Sequence, residues 1–97
     1  MRVLIIEDEA PLRVQLAARL RAEGMAVDQA ANGIDGHHLG AEYPIDAAVV
    51  DLGLPDLSGI EVVRRWRAAG RAFPVLILTA RGRWQDKVEG LEAGGDD

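Results

Sequence analysis

Apolar and polar positions along the chain fall into two kinds of block, short apolar runs and longer segments with the marks of helices. Four mainly apolar runs predict short strands: RVLII at 2–6, MAVDQA at 25–30, IDAAVV at 45–50 and PVLIL at 74–78. Each run is followed by a segment with helical spacing or with residues that favour helix ends. Strands and helices that alternate in this way are typical of a parallel sheet covered by helices on both faces.

The helical segments differ in strength. Leucines at 12, 16 and 20 predict an apolar stripe on the first helix, and Asp8 or Glu9 is available to cap its start. SGIEVVRRWRAAG at 58–70 begins with the Ser–Glu spacing of a capping box, and RWQDKVEGLEAGG at 83–95 predicts a last helix. NGIDGHHLGAEY at 32–43 predicts a weak helix, because each internal glycine costs about 1 kcal/mol relative to alanine.

Composition narrows the class of protein. The 97 residues allow one small domain, and the absence of cysteine excludes disulfides and thiolate metal sites. No apolar run approaches the roughly 20 residues that cross a bilayer, so we predict a cytoplasmic protein with no membrane partner. The net charge of −5 disfavours tight binding to nucleic acid, and the arginines of the third helix predict a solvated face.

Acidic residues follow two of the predicted strands. Glu7 and Asp8 come directly after the first strand, Asp51 directly after the third, and Thr79 after the fourth. In an open parallel sheet, functional groups gather beyond the carboxyl ends of the strands, near the point where strand order reverses. If the first and third strands are neighbours, three carboxylates meet in one cleft with a hydroxyl beside them.

Such a cluster predicts a metal site. Carboxylates that lie close together either gain protons through raised pKa values or share a cation, and oxygen-only ligands suit a hard ion such as Mg²⁺. Gly53 lets the backbone approach closely, so its carbonyl could be a further ligand. Taken singly, Asp8 could instead cap the first helix and Asp51 could be an ordinary polar loop residue.

Four segments carry a resemblance to a known family. IIEDE at 5–9, VVDLGLPDLSGIEV at 49–62, PVLILTA at 74–80 and EGLEAGGDD at 89–97 resemble, in order and spacing, the receiver domain of two-component response regulators. LTARGRWQDKVEGLEAG at 78–94 most resembles regulators that carry a winged-helix DNA-binding domain after the receiver. The resemblance implies a doubly wound α/β fold, flavodoxin-like, with strand order 2-1-3-4. It also implies one receiver domain over 1–97, truncated before the fifth strand and fifth helix of the family.

The resemblance implies a role for each site residue. Asp51 matches the phosphoacceptor, Glu7 and Asp8 match the acidic pair that holds Mg²⁺, the Gly53 carbonyl matches the backbone metal ligand, and Thr79 matches the switch hydroxyl. The implied function is phosphorelay signalling, in which a sensor histidine kinase phosphorylates the domain and an output domain outside this chain binds DNA. The chain would then not be an enzyme, beyond its part in its own phosphorylation and dephosphorylation.

Four further hypotheses remain open at this point. The family's fifth-strand lysine is missing from this chain, so a pseudo-receiver that binds partners without being phosphorylated is a plausible alternative. A Mg²⁺-dependent phosphatase with an aspartyl nucleophile is disfavoured, because Gly53 stands where that chemistry commonly has a second aspartate. PVLIL as an exposed sheet edge predicts possible homodimers, and the outer face of the first helix, by resemblance, helps to dock the kinase.

Overall fold

The computed structural model describes residues 1–78, and within them strands and helices alternate as predicted. The elements, in chain order, are β1 (Arg2–Ile6), α1 (Ala10–Ala22), β2 (Ala26–Ala30), α2 (Gly33–Glu42), β3 (Ala47–Asp51), α3 (Gly59–Ala68) and β4 (Val75–Leu78). The four strands are parallel and form one sheet in the order β2-β1-β3-β4, which confirms the doubly wound topology. Thr79 and the predicted helix at 83–95 lie outside the described residues.

The position of β1 in the middle of the sheet explains its continuous apolar sequence. β1 pairs with β2 on one side and with β3 on the other, so neither of its edges meets solvent. Right-handed crossovers place α1 on one face of the sheet and α2 and α3 on the opposite face. Leu4, Ile5 and Ile6 are therefore fully buried, although their side chains alternate between the two faces.

One strand boundary differs from the prediction in a way that matters. The third strand begins at Ala47 rather than Ile45 and includes Asp51, which pairs in register with Leu78 of β4. The backbone N–H of Leu52 donates to the Leu78 carbonyl at 3.1 Å, so the ladder continues past the apolar run. Asp51 is thus a residue of the sheet itself, and its backbone is fixed by the pairing of β3 with β4.

The main core lies on the face covered by α2 and α3. Its buried members come from all four strands, from α3 and from the adjoining loops: Leu4, Ile6, Ala30, Ile45, Ala48, Val50, Val62, Val63, Trp66, Phe73, Val75 and Ile77. Trp66 is completely buried and contacts Phe73 edge to face, with ring centroids 4.9 Å apart. On the α1 face only Ala17 of the helix is buried, and the predicted leucine stripe is half-buried.

α2 forms despite its glycines, because these glycines are the residues that it packs against its neighbours. A Cβ on Gly36 would lie 2.2 Å from Ile6 Cδ1, and one on Gly40 would lie 2.3 Å from Trp66 Cε2. The indole Nε1 of Trp66 also donates a hydrogen bond to the His37 carbonyl at 3.0 Å. The low helix propensity of glycine is therefore offset by a close approach that no other residue permits.

The helix ends match the sequence signals only in part. Ser58 Oγ accepts the N–H of Glu61 at 3.1 Å, as the capping box predicts, but the Glu61 carboxylate pairs with Arg65 at 3.1 Å. Glu9 occupies the position that precedes α1, and its side chain makes no capping hydrogen bond with the described residues. In the same part of the chain, no helix combines the length and apolarity needed to cross a membrane.

Candidate functional site: a cluster of three carboxylates

Three carboxylates converge at the carboxyl edge of the sheet. Glu7 and Asp8 follow β1, Asp51 ends β3, and the two strands are neighbours in register, with Ile6 opposite Val50. One carboxylate oxygen from each acid can be chosen so that all three lie within 4.8 Å of one another. Adjacent parallel strands deliver the three side chains to one point, as the spacing predicts.

The three acids differ in exposure. Glu7 and Asp51 are buried, at 1% and 3% relative exposure, whereas Asp8 is exposed. The cluster is thus closed on the side of the sheet and open to solvent on the side of Asp8. A small ion or a charged group can reach the buried pair from that open side.

The Glu7 carboxylate has one satisfied and one unsatisfied oxygen. Oε2 accepts the backbone N–H of Glu9 at 3.0 Å, whereas Oε1 is buried and accepts no hydrogen bond from any residue within 1–78. The Arg13 guanidinium is close by, but it donates to the Glu7 backbone carbonyl at 2.9 Å. A buried oxygen without a partner is costly, and a cation in the cluster would satisfy it.

Asp51 is positioned by the backbone on both of its sides. Its Oδ1 accepts the N–H of Gly53 at 3.3 Å, which folds the start of the loop back toward the carboxylate. A Cβ on Gly59 would lie 2.3 Å from the Asp51 carbonyl oxygen, so the first residue of α3 rests directly on the end of β3. The side chain therefore projects into the cluster from rigid backbone.

The electrostatic environment favours the neutral forms of the buried acids. The pKa of Glu7 is raised to about 7, chiefly by burial and also by the neighbouring carboxyl groups of Asp8 and Asp51, while the hydrogen bond from the Glu9 N–H opposes this rise. Burial also raises the pKa of Asp51, opposed by the hydrogen bond from Gly53 and by the Glu7 side chain. Bringing a cation to the cluster would reverse this preference, because opposite charge stabilises the ionised forms.

The structure separates two predicted uses of the acidic residues. The residue at the N-cap position of α1 is Glu9, so Asp8 does not serve as the cap that the sequence also allowed.

Gly53 lies beside Asp51, and a Cβ there would meet only Asp51 Oδ2, at an ordinary 3.9 Å. Thr79 lies outside the described residues, and its predicted role as the switch hydroxyl stays a prediction.

One residue near the site has a contact that sequence reasoning missed. Asp56 lies in the loop that leads into α3, and its carboxylate reaches α2. Oδ1 accepts the N–H of Gly33 at 2.7 Å and Oδ2 accepts the N–H of Ile34 at 3.0 Å. Residues 23 positions apart make this contact, and no local pattern pairs an aspartate in one loop with a distant helix end.

The fold and the acidic cluster together define the class of protein. Residues 3–97 match the family model of the response regulator receiver domain, and the chain belongs to that family. Over its whole length it is 52% identical to the two-component response regulator PhoP of Pseudomonas aeruginosa and 47% identical to the transcriptional regulatory protein PhoP of Escherichia coli. It spans 43% and 44% of their respective lengths, so it corresponds to less than half of each relative.

Solved structures agree with this assignment. The receiver domain of the Francisella response regulator 1452 superposes with a TM-score of 0.91 at 28% identity, over 99% of this chain and 79% of that one. The receiver domain of the sensor histidine kinase PA1611 from Pseudomonas aeruginosa gives 0.89 at 33% identity, over 99% and 80%. That structure has a magnesium ion coordinated in its active site cleft, and the cluster of Glu7, Asp8 and Asp51 resembles such a site.

Proposed function

We propose that the chain is a phosphoacceptor domain, in which Asp51 receives a phosphoryl group while Glu7, Asp8, Asp51 and the Gly53 carbonyl hold Mg²⁺. The observation that carries this proposal is a buried oxygen of Glu7 that has no hydrogen-bond partner within residues 1–78 and lies inside a group of three converging carboxylates. If the three acids had only a structural role, we would expect a hydrogen-bond donor beside that oxygen, or a residue other than glutamate at position 7. A cation-binding cluster leaves it available for the ion.

The donor set fits Mg²⁺ rather than a softer metal. All the ligands offered are oxygens, and two buried carboxylates with one exposed carboxylate leave solvent-facing positions free for water and a phosphoryl oxygen. When bound, Mg²⁺ supplies positive charge that offsets the repulsion between the aspartate and the incoming phosphoryl group.

The phosphotransfer step follows from the position of Asp51. A carboxylate oxygen of Asp51 attacks the phosphorus of a phosphohistidine, the P–N bond breaks, and the donor imidazole leaves and takes up a proton. The product is a mixed anhydride at Asp51, and hydrolysis later restores the carboxylate. The hydrogen bond from the Gly53 N–H and the close approach of Gly59 support this role, because they hold Asp51 in a fixed position within the cluster.

The partners follow from the family. A phosphohistidine donor implies a sensor histidine kinase, and Thr79 would sense the new phosphoryl group by donating a hydrogen bond to it. In the complete regulator, a DNA-binding output domain would follow the receiver. Because such a protein must reach DNA, we expect it in the cytoplasm. The chain is then a switch rather than an enzyme with an external substrate.

Intact mass spectrometry tests the proposal. We expect incubation with Mg²⁺ and a small acyl phosphate to add the mass of one phosphoryl group to the chain. Asp51→Asn should abolish the adduct, because the amide is not a nucleophile, while an exposed-residue control, Asp46→Asn, should retain it. Omission of Mg²⁺ should reduce the adduct strongly.

Two other results would contradict the proposal in different ways. Steady release of phosphate over many turnovers would indicate a phosphatase with an aspartyl nucleophile. The absence of any adduct with a range of donors, in a folded protein, would indicate a pseudo-receiver that acts by binding alone.

A further inference from the structure

The loop between β3 and α3, residues 52–58, is held firmly at its two ends. At its start, the N–H of Leu52 donates to the Leu78 carbonyl at 3.1 Å, and the Leu52 carbonyl accepts the N–H of Gly59 at 3.4 Å. At its end, Gly59 rests on the Asp51 carbonyl. Gly53, the proposed backbone ligand, directly follows Leu52, and the exposed residues of the loop are Gly53, Pro55, Asp56 and Ser58.

Asp56 connects this exposed stretch to another element. Both of its carboxylate oxygens accept backbone N–H groups of the first turn of α2, at 2.7 Å and 3.0 Å. Desolvation opposes ionisation of Asp56, but the hydrogen bonds from Gly33 and Ile34 prevail and lower its pKa. Leu57, the next residue, also approaches the first turn of α2 closely: a Cβ on Gly33 would lie 2.3 Å from the Leu57 carbonyl oxygen.

α2 is a firm support for this contact. Gly36 and Gly40 pack it against the sheet and against α3, as described above. At its other end, the Arg71 guanidinium donates to the Gly40 carbonyl at 3.0 Å and to the Tyr43 carbonyl at 2.8 Å. An aspartate at the N-terminus and an arginine at the C-terminus both complement the helix dipole.

α2 also has a cap of its own, which separates two explanations for Asp56. Asn32 Oδ1 accepts the N–H of Asp35 at 2.8 Å, so the usual capping bond is made within the helix segment. Asp56 adds bonds to the two preceding N–H groups from a different part of the chain. A residue that only stabilises α2 need not come from the 52–58 loop. A residue that positions this loop must belong to it, as Asp56 does.

We infer that Asp56 is a positioning residue: it ties the middle of the 52–58 loop to α2 and thereby holds the Gly53 backbone where a metal ligand is needed. The inference rests on the proposed Mg²⁺ site. Residues that orient metal ligands without touching the metal commonly change affinity by tenfold or more when they are removed. Asp56 would act in this way on a backbone ligand three residues before it.

Titration of the 97-residue chain with Mg²⁺ by isothermal calorimetry tests the inference. Asp56→Ala should weaken Mg²⁺ binding about tenfold, because the ligand loop loses its tie to α2. Asp56→Asn retains one acceptor oxygen and should give a smaller loss. The matched control is Asn32→Ala, which removes the other cap at the same helix end and should change the Mg²⁺ Kd by less than about twofold.

Two further measurements make the comparison specific. Thermal unfolding should show that Asp56→Ala and Asn32→Ala lower Tm by a similar amount, about 5 °C, so that lost stability alone cannot explain different affinities. Asp35→Asn removes a negative charge from the same helix end without touching the loop, and it should leave the Mg²⁺ Kd within about twofold.

The outcomes distinguish this inference from the proposed function. If the unmodified chain binds no Mg²⁺, the proposed site is wrong and the positioning role falls with it. If the unmodified chain binds Mg²⁺ but Asp56→Ala binds it equally well, only the positioning role is wrong. Equal weakening by Asp56→Ala and Asn32→Ala would make Asp56 a second cap, and equal weakening by Asp35→Asn would make its effect one of charge; either result overturns the inference.

Discussion

Two buried regions of this molecule are organised in opposite ways. In the contact between α2 and α3, Trp66 is fully buried, its indole N–H has an acceptor, and Gly40 leaves room for its ring. In the acidic cluster, Glu7 is equally buried, yet one of its oxygens has no donor within the described residues and two further carboxylates lie nearby. The first arrangement contributes stability, whereas the second gives up stability in the metal-free protein.

The difference indicates what each region is for. Close packing with satisfied polar groups is what a small domain needs to remain folded. Crowded carboxylates persist in a fold when something else stabilises them, and a cation is the simplest candidate. The core therefore supports the cluster, and perturbing the two regions should have different signatures.

The largest effect is expected in the α2–α3 contact. Trp66→Ala removes the largest fully buried side chain of residues 1–78 and should lower the free energy of unfolding by about 3–5 kcal/mol. Urea unfolding monitored by circular dichroism measures this change. Arg64→Ala, an exposed position on the same helix, should change it by less than about 0.5 kcal/mol. Similar losses in the two variants would contradict the packing role.

The acidic cluster should respond to pH instead. The pKa of Glu7 is raised from 4.5 to about 7 in the folded chain. Between these values the native state keeps a proton that the unfolded state has lost. The free energy of unfolding of the metal-free protein should therefore fall as pH rises through this window, by about 3 kcal/mol, with the loss complete above pH 7.

Glu7→Gln is the matched control for this pH dependence, since it keeps the size and the acceptor for Glu9 but does not titrate. The difference in unfolding free energy between the two proteins should widen from pH 4.5 to 7, and Mg²⁺ above pH 7 should restore stability only to the unmodified chain. A difference that stays constant with pH would show that Glu7 ionises normally in the folded protein.

Substitution of Gly40 should have a smaller effect on stability, and the direction of the change distinguishes helix propensity from packing. Helix propensity alone predicts that Gly40→Ala stabilises the protein by about 1 kcal/mol. The short distance to the rigid Trp66 ring instead predicts a net loss of about 1–2 kcal/mol from overpacking. Thermal unfolding measures this change, and His38→Ala, on the exposed side of α2, should leave Tm nearly unchanged. A gain in Tm for Gly40→Ala would mean that the contact can relax.

Sequence patterns predicted the elements of the described residues and their order, because apolar runs and leucine spacing are local signals. They also predicted the meeting of Glu7, Asp8 and Asp51, on the condition that the first and third strands are neighbours, and the observed strand order meets that condition. The glycines of α2 were interpreted only as a weakness of the helix. Their packing role depends on Ile6 and Trp66, which are distant along the chain, and so it had no local signal.

The sequence by itself determined the alternation of strands and helices, the kind of chemistry available at the sheet edge and, by its family motifs, the class of protein. Only the tertiary structure decided that one Glu7 oxygen is buried without a donor among the first 78 residues and that Asp56 holds the first turn of α2. The physical reason is one of range. Periodicity and capping depend on neighbours within a few residues, whereas burial and hydrogen-bond partners depend on which distant segments the packed chain brings into contact.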